Sequence, residues 1–421
     1  MGKILTEKAR TSNEILFRML LAVALLLAVF AVALQPDLSL LTGLWKIQIG
    51  HAGLITDPIC TGGPGAALMN AALMLFGSTM LVRLQKMPFT GLSVACLYMM
   101  AGFALLGKNV INSAPIVAGS FLYSLYKDEK FSKYIYLSLF GTCLSPMVSY
   151  FMLHMKSIWH YPLMALIGVV IGFVMPAVAG HTVRLHQGYN LYNVGVSAGF
   201  VGLALVSVLK GFGVEFHTTS TWSTEYNLPL CIMMILLLLG LFAAGILLGC
   251  RSWKQYKRIL THSGRAVADF FALEGLGTTF VNMALVGAIG LIYLQAMRVP
   301  LNGPLVCCLF AMIGFACFGK HPKNVVPVMA GAILAALVMK NVNLTSPGVL
   351  LATLLCSGLA PISGQFGWYC GIAAGFLHMS IVQNTSYLHG GLNLYNNGFA
   401  AGLTCVILVP LIEALKREPE E

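Results

Sequence analysis

The sequence predicts an all-α, polytopic membrane protein built as an inverted duplication, with about seven spans in each half. Hydrophobic residues occupy 58% of the 421 positions and charged residues only 9%, as is typical of chains that cross a bilayer repeatedly. Apolar runs long enough to cross a membrane recur from end to end. The motif His186–Gly195 also returns, in nearly the same form, as His389–Gly398. These features predict two related halves made of membrane helices.

Fourteen apolar segments are candidate spans, and several of them are short. In the first half they cover residues 15–34, 66–82, 90–106, 112–126, 134–153, 162–179 and 190–208. In the second half they cover residues 228–248, 278–294, 301–318, 324–338, 349–359, 368–381 and 393–411. A helix as short as 112–126 reaches about 22 Å, whereas the hydrocarbon core of a bilayer is about 30 Å thick. We therefore expect the short segments to be broken, tilted or re-entrant.

The distribution of basic residues predicts the orientation of the chain. With the N-terminus inside, the fourteen-span arrangement places most of the 25 Lys and Arg residues in inner loops, as the positive-inside rule requires. We expect a protein of the cell membrane, in contact with the lipid bilayer, with both termini in the cytoplasm. The sequence leaves open whether the protein forms a homo-oligomer. The net charge of +11 is scattered over short loops, so no nucleic-acid partner is expected.

The duplication extends beyond the repeated motif. At one constant offset, five residues of the first half recur in the second: Asp57 as Asp269, Asn70 as Asn282, Lys108 as Lys320, Asn112 as Asn324, and Pro115 as Pro327. An odd number of spans in each repeat makes the second copy inverted, because each copy then begins on the opposite side of the membrane. We divide the chain into an N-terminal membrane repeat, 1–215, and a C-terminal membrane repeat, 216–421.

These paired residues and the two Asn-Leu-Tyr-Asn motifs carry a resemblance to known families. The whole chain resembles a bacterial family of polytopic membrane proteins catalogued only as a domain of unknown function, which implies no activity. The aromatic and asparagine residues ahead of a glycine-rich helix are similar to the repeated motif of urea transporters, which are also inverted duplications. The count of seven plus seven spans resembles the architecture of nucleobase and anion transporters. Such resemblances imply a fold, and a fold does not determine the function.

The two motifs supply the first candidate substrate-binding residues. They are Asn190, Tyr192, Asn193, Asn393, Tyr395 and Asn396. Within each motif the two asparagines are three residues apart, so they would share one face of a helix. Their amides offer donors and an acceptor, which suits a neutral polar solute or a desolvated ion. The alternative is that the asparagines only join helices by hydrogen bonds.

Further candidates lie in the segments that precede the motifs. They are Asp57, Asn70, Lys108, Asn112, Asp269, Asn282, Lys320 and Asn324. Each lysine is expected either to pair with one of the aspartates or to reach the membrane surface from a helix end. Asn112 and Asn324 are expected N-caps of the two short segments that hold Pro115 and Pro327. We expect these two segments to wall a central cavity.

Glu274 is the candidate for coupling transport to a proton or cation, because it has no acidic counterpart in the first half. A helix N-terminus near this loop end would also stabilise its carboxylate. No cofactor or metal is expected, since His51, His186, His262 and His389 are widely spaced. No loop carries the close acid–base grouping that an enzyme would need.

From these residues we expect an integral membrane transporter of a small polar or ionic solute, with a central site at the interface of the two repeats. A passive urea-type solute channel is the alternative within transport. An intramembrane enzyme and a structural membrane protein are the alternatives from other classes. The sequence does not identify the solute.

Overall fold

The computed structural model is all-helical over the residues it describes, which are 2–154, 158–217, 220–340 and 342–415. The first half contains α1 (Gly2–Leu34), α2 (Ser39–Gln48), α3 (Pro58–Gly62), α4 (Pro64–Leu84), α5 (Gly91–Ala104), α6 (Val110–Tyr126), α7 (Ile135–Gly141), α8 (Ser145–His154), α9 (His160–His186) and α10 (Asn193–Gly211). The second half contains α11 (Asn227–Leu247), α12 (Trp253–Ile259), α13 (Phe270–Ala296), α14 (Gly303–Phe315), α15 (Pro322–Val338), α16 (Pro347–Leu355), α17 (Ala360–Phe366), α18 (Trp368–Val382) and α19 (Asn396–Leu415). The expected all-α class is confirmed.

Nine helical segments of the described chain are long and apolar enough to cross a membrane. They are Arg10–Leu34, Pro64–Leu84, Ile135–Leu153, Tyr161–His186, Asn193–Gly211, Asn227–Leu247, Phe270–Ala296, Pro347–Phe366 and Asn396–Leu415. Large apolar side chains on their outer faces are exposed, such as Leu239 of α11 at 59%. Outward apolar surface of this extent is expected of helices that contact lipid. The chain therefore has the helices and the surface of a polytopic membrane protein.

The two halves repeat the same packing. α1 packs on α4 as α11 packs on α13, and α6 packs on α9 as α15 packs on α18. Asn70 Nδ2 in α4 donates to the carbonyls of Ala104 and Lys108 at 3.1 and 2.8 Å. Asn282 in α13 makes the equivalent pair of hydrogen bonds, both at 2.7 Å. The repeat found in the sequence thus reappears as repeated contacts.

Two equivalent helices, α5 and α14, pack against each other at the centre in opposite directions. Gly91, at the start of α5, lies against Cys317, just beyond the end of α14. Gly303, at the start of α14, lies against Leu105, just beyond the end of α5. Nearly every residue of both helices is buried. The two equivalent helices therefore run in opposite directions at the centre of the protein.

α5 and α6 form a hairpin whose two ends lie on the same side of the bundle. Tyr136, which follows α6, lies beside the start of α5: its Oη is 2.8 Å from Ser93 Oγ and donates to Pro88 O at 3.3 Å. The turn at Gly107 (φ +93°) reverses the chain while it is still buried. Segments 90–106 and 112–126 are therefore two arms of one hairpin, and the fourteen-span count is not confirmed.

α10 and α19 begin where the two halves meet. A Cβ atom on Gly195 would lie 2.7 Å from Gly398 Cα, so the two backbones could not approach this closely with a larger residue. α10 begins only at Asn193, and Asn190 lies in the segment ahead of it. Asn190 Oδ1 accepts a 2.9 Å hydrogen bond from Tyr192 N, a local turn that competes with helix.

The second motif has the same geometry. Asn393 Oδ1 accepts from Tyr395 N at 2.9 Å, and α19 begins at Asn396. The expectation that the two asparagines of each motif share one helical face is therefore wrong. Only the second asparagine of each pair belongs to the helix.

Candidate functional site

The two motif tyrosines meet at the centre of the protein. The ring centroids of Tyr192 and Tyr395 are 5.2 Å apart. Phe315 packs edge-on against Tyr192 at 4.8 Å, and Phe103 packs edge-on against Tyr395 at 5.1 Å. All four aromatic side chains are buried. The structure thus brings one tyrosine from each motif and one phenylalanine from each of α5 and α14 into a single central cluster.

Lys320 is a fully buried lysine bonded to a tyrosine of the other half. Its Nζ donates to Tyr192 Oη at 2.6 Å, to Ser357 Oγ at 2.9 Å and to Ala311 O at 3.2 Å. The same Nζ lies 4.8 Å from the centre of the Tyr192 ring, a cation–π distance. All three ammonium protons of Lys320 therefore have oxygen acceptors.

Lys108 occupies the equivalent position in the first half but is not bonded in the same way. Its Nζ contacts Met100 Sδ at 3.1 Å and lies 5.2 Å from the centre of the Phe103 ring. A thioether sulfur is only a weak acceptor. Tyr395 Oη, the counterpart of Tyr192 Oη, has no hydrogen-bond partner among the described residues. One lysine–tyrosine pair is therefore joined, and the other is not.

Neither lysine pairs with an aspartate, so that expectation is wrong. Asp57 accepts from Ile59 N at 3.0 Å and from Ser223 N at 3.1 Å. Asp269 accepts from Phe271 N at 3.0 Å. Both aspartates are N-caps, of α3 and α13, where unpaired backbone N–H groups attract a carboxylate. No ion pair found within the described ranges includes either buried lysine.

Asn190 and Asn193 have different environments. Asn190 is buried, and its Nδ2 donates to Gly398 O at 2.9 Å, which ties the first motif to the first turn of α19. Asn193 is half-buried, with its Oδ1 3.1 Å from Thr182 Oγ1 and 2.9 Å from His186 Nε2. Asn190 therefore joins the two halves, whereas Asn193 faces space beside the site.

Asn112 and Asn324 hold the tips of the two hairpins. The N-caps of α6 and α15 are Asn109 and His321, three residues earlier, so the expected N-cap role is wrong. Asn112 Nδ2 donates to Gly107 O at 3.1 Å, and Asn324 Nδ2 makes the equivalent bond to a glycine carbonyl at 2.9 Å. These amides satisfy carbonyls at the chain reversal, where no helical donor is available.

The proline segments do not wall the central site as expected. α6, which holds Pro115, packs instead on α9, and α15, which holds Pro327, packs on α18. A Cβ at Gly119 of α6 would lie only 2.1 Å from Val169 O of α9. Glycine thus allows these helices to approach each other closely, which keeps α6 away from the centre.

Glu274 lies within α13, just before the break at Gly275 (φ +81°), and not at a loop end. Its carboxylate lies 2.8 Å from His262 Nε2 and 3.4 Å from Arg258 Nε. These contacts join α13 to the region of α12, and a role in coupling stays a prediction. Within the described part of the chain, no group of three or more His, Cys, Asp or Glu residues is placed to hold a metal ion.

Two cavities occupy equivalent places in the two halves but differ in size. The wide cavity measures ≈ 400 Å³, and its lining includes Lys133, Val183, Asn193, Val194, Ala266 and Val267. The narrow cavity measures ≈ 130 Å³, and its lining includes the repeat equivalents Gly348, Ser386, Asn396, Asn397, Leu54 and Ile55. A separate cavity of ≈ 110 Å³ shares Leu54, Ile55 and Ser386 with it. The wide cavity runs from the exposed residues Lys133 and Val267 to the buried Tyr395.

Three further polar residues lie at this centre, and none of them is among the candidates predicted from the sequence: Thr142, Thr182 and Ser357. Thr142 Oγ1 lies 3.8 Å from the same Met100 sulfur that Lys108 contacts, as Ser357 contacts Lys320. The repeat carries a signal for this pair, because each precedes a Leu-Xaa-Pro sequence at the same spacing. Thr182 carries no such signal.

A protein-family model matches most of the chain. It is described as "Protein of unknown function (DUF1576)" and covers residues 37–211 and 249–414, which include both motifs and both buried lysines. No curated protein and no solved structure matches the chain. The chain therefore belongs to the DUF1576 family of proteins of unknown function.

Proposed function

We propose that this protein is a transporter that carries a small polar or ionic solute across the cell membrane, through a central site between two inverted repeats. The observation that carries the proposal is the unequal pair of cavities, ≈ 400 Å³ on one side and ≈ 130 Å³ on the other. In alternating access, equivalent pathways open in turn on the two sides of a fixed site. In this proposal, the present structure is a state open at the mouth beside Lys133.

The proposed membrane arrangement has five crossings in each half. In the first half α1, α4, α7–α8, α9 and α10 cross, while the α5–α6 hairpin enters and leaves on one side. The equivalent elements of the second half are α11, α13, α16–α17, α18 and α19, with α14–α15 as the hairpin. Five is odd, so the repeats are inverted, and the basic loops and both termini lie in the cytoplasm. The C-terminal residues 416–421 lie outside the described residues.

Some polar groups of the centre are used in internal hydrogen bonds, and others line the wide cavity, where a solute could contact them. Asn190 and Tyr192 use their polar atoms in internal hydrogen bonds. Asn193 and His186 line the wide cavity, and Tyr395 closes its inner end. Polar side chains at membrane depth are costly unless they serve a pathway or pair with each other, which supports a role for these residues in binding.

Transport is tested with purified protein in liposomes. Uptake of labelled formate, nitrate, urea and methylammonium would be measured with and without the same solute inside. We expect at least one of the four to enter, and to enter faster when it is already present inside, since alternating access couples exchange. Equal rates would favour a passive urea-type channel. If none of the four enters, the transport proposal fails.

A matched pair of variants connects uptake to the cavity. Asn193→Ala should reduce uptake by about tenfold, because one polar contact to a solute is worth about 1 kcal/mol or more. Asn384→Ala, which changes an exposed asparagine, should leave uptake unchanged. Unaltered uptake by the Asn193 variant would remove this residue from the pathway.

A further inference from the structure

The centre of the protein holds two buried lysines without a carboxylate, among the described residues, to pair with either of them. Lys108 and Lys320 are both fully buried, at 0% exposure. Every ion pair found in the described part of the chain lies elsewhere. A charge taken out of water without a partner is strongly destabilising, so buried lysines need either acceptors or an anion.

The two halves satisfy this need unequally, although they use the same three residue types. In one cluster, Lys320 lies 5.3 Å from the Phe315 ring centre, and its Nζ donates to Tyr192 Oη at 2.6 Å. In the other, Lys108 lies 5.2 Å from the Phe103 ring centre, and no bond joins it to Tyr395.

The second cluster therefore presents unused donors. Lys108 Nζ has a thioether as its described neighbour in place of the three oxygens around Lys320. The Tyr395 hydroxyl is buried and has no partner in the described ranges, and the same holds for the amide nitrogen of Asn393, two residues earlier. Tyr395 also forms the inner end of the wide cavity.

We infer that the solute is a small monovalent anion, bound next to the inner end of the wide cavity, between the Lys108 ammonium and the Tyr395 hydroxyl. This inference rests on the proposed transport function and names its substrate class. One ammonium without oxygen acceptors calls for one negative charge. The surrounding rings of Phe103 and Phe140 exclude water, which strengthens the attraction between the ammonium and the anion.

The two tyrosines offer a matched test on the full-length protein in nanodiscs, with sodium formate as the probe and calorimetric titration as the measurement. Tyr395→Phe removes the hydroxyl without a partner, so it should weaken formate binding about tenfold and leave the melting temperature nearly unchanged. Tyr192→Phe removes the hydroxyl bonded to Lys320, so it should lower the melting temperature and leave formate affinity within about twofold. Lys108→Met should abolish formate binding.

The outcomes separate this inference from the transport proposal. Equal loss of formate affinity in the two tyrosine variants, or formate binding by Lys108→Met, would overturn the anion site. Uptake of urea or methylammonium, but of neither formate nor nitrate, would overturn the inference and leave transport standing. Uptake of none of these solutes would remove the transport proposal itself.

Discussion

Asp269 of the second half accepts a 2.8 Å hydrogen bond from the backbone N–H of Gly91, the first residue of α5 in the first half. The same carboxylate accepts from Phe271 N at 3.0 Å at the start of its own helix. Asp57 likewise accepts a hydrogen bond from the backbone N–H of Gly303, the first residue of α14. The first backbone N–H of each central helix is therefore bonded to a carboxylate that belongs to the opposite half.

This shared cap predicts a loss of stability in Asp269→Ala. The change leaves backbone donors of both α5 and α13 without an acceptor, which costs about 2 kcal/mol. Thermal unfolding of the detergent-purified protein should show a lower midpoint. Glu413→Ala, which alters an exposed carboxylate of α19, is the control and should unfold like the wild type. A wild-type midpoint for Asp269→Ala would show that the cap is dispensable.

Close packing of α10 on α19 predicts that Gly195→Leu lowers folding yield. The added side chain would meet Gly398 at the crossing, and overpacking of this kind typically costs about 1–3 kcal/mol. Gly240→Leu is the matched control, because nothing lies within 4 Å of a Cβ built there. The measurement is the yield of monodisperse protein after size exclusion. Comparable yields from the two variants would argue against tight packing at the crossing.

Alanine substitutions of the two asparagines of the first motif should have different effects, one mainly on stability and the other mainly on uptake. Asn190→Ala breaks a buried hydrogen bond between the halves and leaves Gly398 O without that donor, a loss of about 1–3 kcal/mol. Asn193→Ala changes a residue that faces the wide cavity, so its melting temperature should change less while its uptake falls more. Melting curves and liposome uptake on the same preparations check this. The reverse order of effects would exchange the two roles.

The proposed topology predicts opposite labelling of two equivalent turns. Lys86 follows α4 and Arg298 follows α13; both are exposed and have φ near +55° and +53°. In a Cys60→Ser background, which removes the exposed cysteine, Lys86→Cys should react with an impermeant maleimide from the cytoplasmic side. Arg298→Cys should react from the other side. Reaction of both from one side would contradict the inverted arrangement.

The repeated contacts could be predicted from the sequence because a constant offset survives in it. Asn70 and Asn282 recur at that offset, and both bond the carbonyls at the end of the following helix. The hairpins could not be predicted in this way. An apolar segment such as 112–126 has the same composition whether it crosses the bilayer or turns back inside a bundle, so only its neighbours reveal the difference.

The sequence alone also does not predict the hydrogen-bond partners of the buried lysines. Opposite charge alone predicts that Lys320 pairs with an aspartate. In the structure, however, the two aspartates accept hydrogen bonds from backbone N–H groups at the start of α3 and α13. The residue that Lys320 does bond, Tyr192, lies far from it in the sequence and in the other half. The hydrogen bond between Lys320 and Tyr192 depends on how the two halves pack, and no local sequence pattern predicts it.

The antiparallel packing of α5 on α14 makes the biogenesis of this protein depend on its last part. α5 leaves the ribosome long before α14, Asp269 and the second motif, which later cover it and cap its first residue. Until then the first half must reside in the membrane with Lys108 and the helix ends of its hairpin uncovered. We therefore expect the N-terminal half, when synthesised alone, to be degraded, and to be rescued when the C-terminal half is supplied as a separate chain.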